Sequence, residues 1–155
     1  NFYQKMVWVV DGTRLKRDYP RFLRGREDCF RNTGLPGFFF VNFPDKCFPS
    51  AWLESLVPVI FDFRGSMPTE PQDLARDTLW CLLPGRAEGY AVCAAIACTV
   101  FVDRILNYPS LFPSPDHELV SAFADNIRQE WQQLHEMRNT QFDQHLRKGR
   151  RHFRL

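Results

Sequence analysis

The chain has 155 residues, 45% of them hydrophobic and 25% charged, with a formal net charge of +2. That length suits one globular domain burying roughly 70% of its unfolded surface, and no apolar run approaches the ~18 residues of a membrane span. Five cysteines (Cys29, Cys47, Cys81, Cys93, Cys98) without C-x-x-C spacing argue against a zinc site or a secreted disulfide scaffold, and are expected to be reduced, mostly buried thiols in an intracellular protein.

Met6–Val10 is a compact apolar run closed by the turn signal Asp11-Gly12. It predicts an interior strand, because both of its faces are apolar. Thr13–Leu23 predicts a short helix limited by Pro20. Gly34, Pro36 and Gly37 mark a loop before a second strand, Phe38–Phe43, and Ser50 is placed to cap a short helix through Leu56. In the third strand, Val57–Phe63, period-2 alternation puts Val57, Val59, Phe61 and Phe63 on one face. Ile60, Asp62 and Arg64 take the other. Residues 65–77 read as a loop.

Leu79–Pro84 and Tyr90–Ala97 flank "GRAEG", which predicts a β-hairpin with a five-residue loop. Symmetry about Ala87 would set Cys81 opposite Cys93. Val100–Leu106 predicts a short helix. From Asp116, the expected N-cap, apolar residues at Val120, Phe123, Ile127, Trp131, Leu134, Phe142 and Leu146 predict a long amphipathic helix fraying near Gly149. The chain therefore divides into a strand-rich region at 1–106, a Pro-rich linker at 107–115 and the long helix with its basic tail at 116–155. The fold class expected is α/β or α+β, a mixed sheet with a β-hairpin and a long C-terminal amphipathic helix.

Charge is unevenly distributed. Residues 14–26 hold six basic side chains against Asp18, and residues 143–155 hold five against Asp143, so the rest of the chain is acidic on balance. Such asymmetry points to a polyanion partner. In "DGTRLKRDYPRFLRGR", arginines suit phosphate oxygens, and Tyr19 and Phe22 are candidates for stacking on bases; their other use is the core. Arg14, Lys16 and Arg17 are the expected phosphate-contacting residues. The tail "RKGRRHFRL" is a generic basic end.

Other constellations are weaker. Pro44-Asp45 followed by Asp62-x-Arg64 resembles the acid, acid-x-Lys pattern of PD-(D/E)xK nucleases, in which two carboxylates hold Mg²⁺. Arginine stays protonated and cannot replace the lysine as a base. Cys29 has cationic neighbours but no local histidine to activate it. His117, His135, His145 and His152 all lie on or beside the long helix and read as exposed polar residues. Phosphate-cradling and nucleophile-elbow motifs are absent.

"NFYQKMVWVVDGTRLKRD", "FPSAWLESLVPVIFDFRG" and "LLPGRAEGYAVCAAIA" resemble the competence protein CoiA-like family of nuclease-related proteins. In that resemblance Phe2 and Tyr3 match the end of a helix, and Met6–Gly12 the strand after it. It implies that Asn1 is an internal position of a longer, bacterial, cytoplasmic protein acting on incoming DNA. The catalytic carboxylates, and any Mg²⁺, would then lie upstream of Asn1, with no catalytic or metal-binding residue and no cofactor in this chain. The expected contribution of the chain is core strands, DNA-backbone contacts and subunit contacts through the C-terminal helix. Two alternatives are an intact Mg²⁺-dependent nuclease using Asp45, Asp62 and Arg64, and a non-enzymatic binding module. In the latter the Phe123–Ile127–Trp131–Leu134 stripe meets a partner instead of the core.

Overall fold

The computed structural model describes residues 6–14, 16–64, 73–112 and 114–152, with side chains described as far as Phe142. Phe2, Tyr3 and the basic tail's side chains lie outside the described residues. The elements are β1 (Trp8–Asp11), α1 (Asp18–Cys29), β2 (Phe30–Asn32), β3 (Phe38–Val41), β4 (Val59–Asp62), α2 (Leu74–Asp77), β5 (Thr78–Leu82), β6 (Ala91–Ala97), α3 (Cys98–Asn107) and α4 (Asp116–His152). Two 3₁₀ turns, Pro44–Lys46 and Ser50–Trp52, join β3 to β4.

The six strands form one mixed sheet in the order β1-β4-β5-β6-β3-β2. Only β1 and β4 are parallel; every other neighbouring pair is antiparallel. The fold is α+β, with the hairpin β5–β6 at its centre and the long helix at its C-terminal end. Because successive side chains on a strand point to opposite faces, each central strand feeds two cores. Val59, Phe61, Trp80, Leu82, Ala91 and Cys93 pack under α1 and the 3₁₀ turns. Ile60, Leu79, Cys81, Leu83, Val92 and Ala94 pack against Phe112 and α4. The alternation expected for Val59, Ile60, Phe61 and Phe63 is therefore observed.

α1 begins and ends later than its sequence pattern implies. Pro20 sits in the first turn, where a helix has no use for its missing N–H, so it starts the helix instead of limiting it. Gly25 is tolerated mid-helix because the turn at Lys46-Cys47 packs on it; a Cβ there would lie 2.6 Å from Cys47 Sγ and 2.9 Å from the Lys46 carbonyl oxygen. On the face of α1 toward the sheet, Phe22 is stacked on Phe63 with ring centroids 4.7 Å apart, and tilts against Trp80 at 5.0 Å.

The β5–β6 hairpin turns more tightly than a five-residue loop. Ala87 and Tyr90 exchange both backbone hydrogen bonds across Glu88-Gly89, whose φ values of 50° and 89° are those of a hairpin turn with both central residues left-handed. The register pairs Cys81 with Ala94 and Leu82 with Cys93. Cys81 and Cys93 thus face opposite cores and are not opposite each other, as symmetry about Ala87 would have made them.

α4 starts at Asp116, and the carbonyl of Pro115, not the Asp116 side chain, receives the Glu118 and Leu119 N–H groups. The helix continues through Gly149 to His152. Its first half inserts Val120, Phe123, Ala124 and Ile127 into the second core, together with Phe112 from the Pro-rich segment before it. α3 crosses the same side of the sheet with none of its residues fully buried. Among the described residues no helix is long and apolar enough to cross a membrane.

Candidate nucleic-acid interface

The parallel pair β1–β4 ends with Asp11 and Asp62 in register. The carboxyl ends of parallel strands are where such sheets commonly present their sites. At this edge the chain leaves β1 through a small, tightly bonded turn. The Asp11 carboxylate accepts the Thr13 N–H at 2.9 Å and the Thr13 hydroxyl at 2.6 Å. These bonds to the ionised form hold its pKa below the ordinary carboxylate value. Gly12 donates its N–H to the Asp62 carbonyl at 2.8 Å. Having no side chain, it lets the turn lie directly against the Phe63 ring.

The turn projects Arg14, Lys16 and Arg17 into solvent just ahead of α1. Arg17 occupies the cap position of α1, and among the described residues no side chain caps the helix, so its first N–H groups point outward with the positive end of the helix dipole. Arg21 and Arg24 follow one and two turns later. Together Arg14, Lys16, Arg17, Arg21 and Arg24, with Asp18 as the single acid among the described residues, line a shallow cleft of about 670 Å³. Arg21 is held in place by donating from Nη2 to the Asp45 backbone carbonyl. The three cations expected from sequence are thus brought together, and Arg21 and Arg24 join them because helical spacing stacks them on the same side.

The aromatic residues of this stretch do not join them. Tyr19 and Phe22 are buried in the first core, so neither is available to stack on a base. Tyr19 lies 5.2 Å from Phe63, centroid to centroid, and donates its hydroxyl to Asp73. Burial and the Asp73 carboxylate both push its pKa well above the ordinary phenol value. The Arg76 guanidinium covers its outer ring face at 4.6 Å. What the cleft offers is therefore charge and N–H donors, the chemistry of phosphate contact without base readout.

The alternative catalytic groups come from two separate segments. Asp45 sits on an exposed turn beside α1, while Asp62 ends β4 and accepts the Arg64 N–H at 2.9 Å. Arg64 pairs with Asp77 at 3.4 Å. Among the described residues no three His, Cys, Asp or Glu side chains are grouped to hold a metal ion. Cys29 is buried against Cys47; burial and the neighbouring Cys29 push the Cys47 pKa up to about 12, although the Arg21 guanidinium pulls it the other way. His117 and His135 are exposed on α4, and the side chains of His145 and His152 lie outside the described residues.

A second concavity, of about 620 Å³, lies at the opposite end of β1. Met6, Leu56, Ile105, Tyr108 and Asp116 contribute to its walls, which are largely apolar. No signal in the sequence pointed to it, because its walls come from four separate segments.

Compared with protein-family models, with curated proteins and with solved structures, the chain matches none.

Proposed function

We propose that this protein binds the phosphate backbone of DNA through the cationic cleft at the start of α1, in the DNA metabolism of a bacterial cytoplasm that its resemblance to CoiA-like proteins implies. The observation that carries this reading is the convergence of Arg14, Lys16, Arg17, Arg21 and Arg24 on one cleft around the uncapped N-terminus of α1. Arginine forks match phosphate oxygens in pairs, and helix N–H groups add further donors. Burial of Tyr19 and Phe22 favours a contact indifferent to base sequence. The reading assigns contact, and no bond-breaking step, to these residues.

Binding of this kind releases counterions, so log affinity falls linearly with log salt, with a slope of about 0.9 per neutralised phosphate. Replacing Arg14, Lys16 and Arg17 together by Ala is expected to weaken binding of a random-sequence DNA duplex. It should also flatten that slope by roughly 0.9 for each phosphate left without its cation. The three side chains are exposed, so the variant keeps its fold, and unchanged circular dichroism confirms this in the same samples. Unaltered affinity and slope in the folded variant would exclude the cleft as the binding surface.

A further inference from the structure

α4 outruns the domain it packs on. Its inward residues Val120, Phe123, Ala124 and Ile127 are all buried, and continuing the same helical step carries the apolar stripe to Trp131, Leu134 and Phe142, with Met137 on its flank. Yet from Arg128 to Phe142 every side chain is exposed. Trp131, Leu134, Met137 and Phe142 stand 50%, 53%, 56% and 65% exposed. From Trp131 to His152 the helix extends about 33 Å at 1.5 Å per residue. A helix in water with no neighbour along such a stripe lacks the packing that normally sustains it.

Charge on α4 says what covers it. Residues 116–136 carry five acids against Arg128 alone, whereas residues 137–152 carry five basic residues against Asp143 alone. A parallel pair of these helices would set like charge against like. An antiparallel pair sets the basic end of each against the acidic section of the other, and Glu130, which flanks the stripe, is the acid of that section nearest the seam. It also lays stripe on stripe in the self-complementary manner of a two-fold interface.

We infer that α4 is a dimerisation arm: the exposed stripe at Trp131, Leu134 and Phe142 pairs antiparallel with the same stripe of a second copy of this chain. The inference is independent of DNA binding.

Sedimentation velocity of the whole chain at rising concentration and low salt tests it. The expected result is a monomer–dimer equilibrium weakened at least tenfold by Trp131→Glu/Leu134→Glu and weakened by added salt. Glu130→Lys, at an exposed position on the flank of the stripe that leaves folding intact, is expected to weaken the dimer as well. Adding Lys148→Glu, five helical turns from Glu130 on the same flank, is expected to restore it. A monomer at every concentration, a dimer indifferent to Trp131→Glu/Leu134→Glu, or a charge reversal that is not restored would each overturn the proposal.

Discussion

Gly12 and Phe63 are in direct contact: a Cβ built on Gly12 would lie 2.4 Å from Phe63 Cδ1. Phe63 cannot withdraw, because it is itself buried between Tyr19, Phe22 and Phe61. The turn that presents the cationic cleft is thereby seated on the first core. Gly12→Ala is expected to destabilise the protein by about 1–3 kcal/mol, the usual cost of overpacking. It should also displace the turn, weakening the proposed DNA binding more than its effect on stability accounts for. Denaturant unfolding and a DNA titration on the same preparation measure the two effects separately.

Asp18 is the acid within the cationic cleft. It stands in the first turn of α1, where a carboxylate interacts favourably with the helix dipole but repels a phosphate. Asp18→Asn is expected to tighten the proposed DNA binding about two- to fivefold at low salt, in line with one exposed charge contributing on the order of 0.5–1 kcal/mol. The gain should vanish near 0.5 M salt, where the screening length falls to roughly 4 Å. Weaker binding by this variant would count against a phosphate in the cleft.

Asp116, at the start of α4, titrates above the ordinary carboxylate value because it is half-buried, an effect that a protonated His117 partly offsets. A carboxyl whose folded pKa is raised favours the folded state while protonated, and that contribution is lost as pH rises through the folded pKa. At neutral pH the ionised group is therefore a net cost. Asp116→Asn is expected to raise the melting temperature at pH 7 and to leave it unchanged at pH 3, where the wild-type side chain is already neutral. An equal gain at both values would point to packing and not to ionisation.

Of the five thiols, Cys29, Cys47, Cys81 and Cys93 are buried and Cys98 is exposed at the start of α3. Burial keeps Cys47, Cys81 and Cys93 protonated far above neutral pH, and a protonated, inaccessible thiol does not alkylate. Brief treatment of the native protein with iodoacetamide should modify one cysteine, and treatment in denaturant all five. Mass spectrometry counts them, and rapid native modification of a second thiol would contradict this packing.

Phe22 links α1 to the sheet through Phe30, Phe48, Phe63 and Trp80. Phe22→Ala is expected to cost about 3–5 kcal/mol, because a buried ring is removed and its neighbours are too constrained to fill the space. Calorimetric unfolding reads this directly.

The local pattern by itself determined the strand at Val59–Asp62 with its alternating faces, the central hairpin, the long C-terminal helix and the cationic stretch after β1. Each is a matter of period, turn chemistry or composition, which neighbouring residues are enough to set. Only the tertiary structure decided which strands lie at the edge. The apolar β1 pairs with β4 alone among the described residues, although its composition suited an interior place. β2, short and bearing Arg31 and Asn32, carries too little local pattern to be read as a strand at all.

The same division runs through the candidate site. The clustering of Arg14, Lys16 and Arg17 was legible because charge density is local. The burial of Tyr19 and Phe22, the addition of Arg21 and Arg24, and the exposure of the stripe beyond Ile127 were not. A face is buried or left open according to what long-range packing brings to it, and the end of a sheet is not written in the period of the helix lying across it.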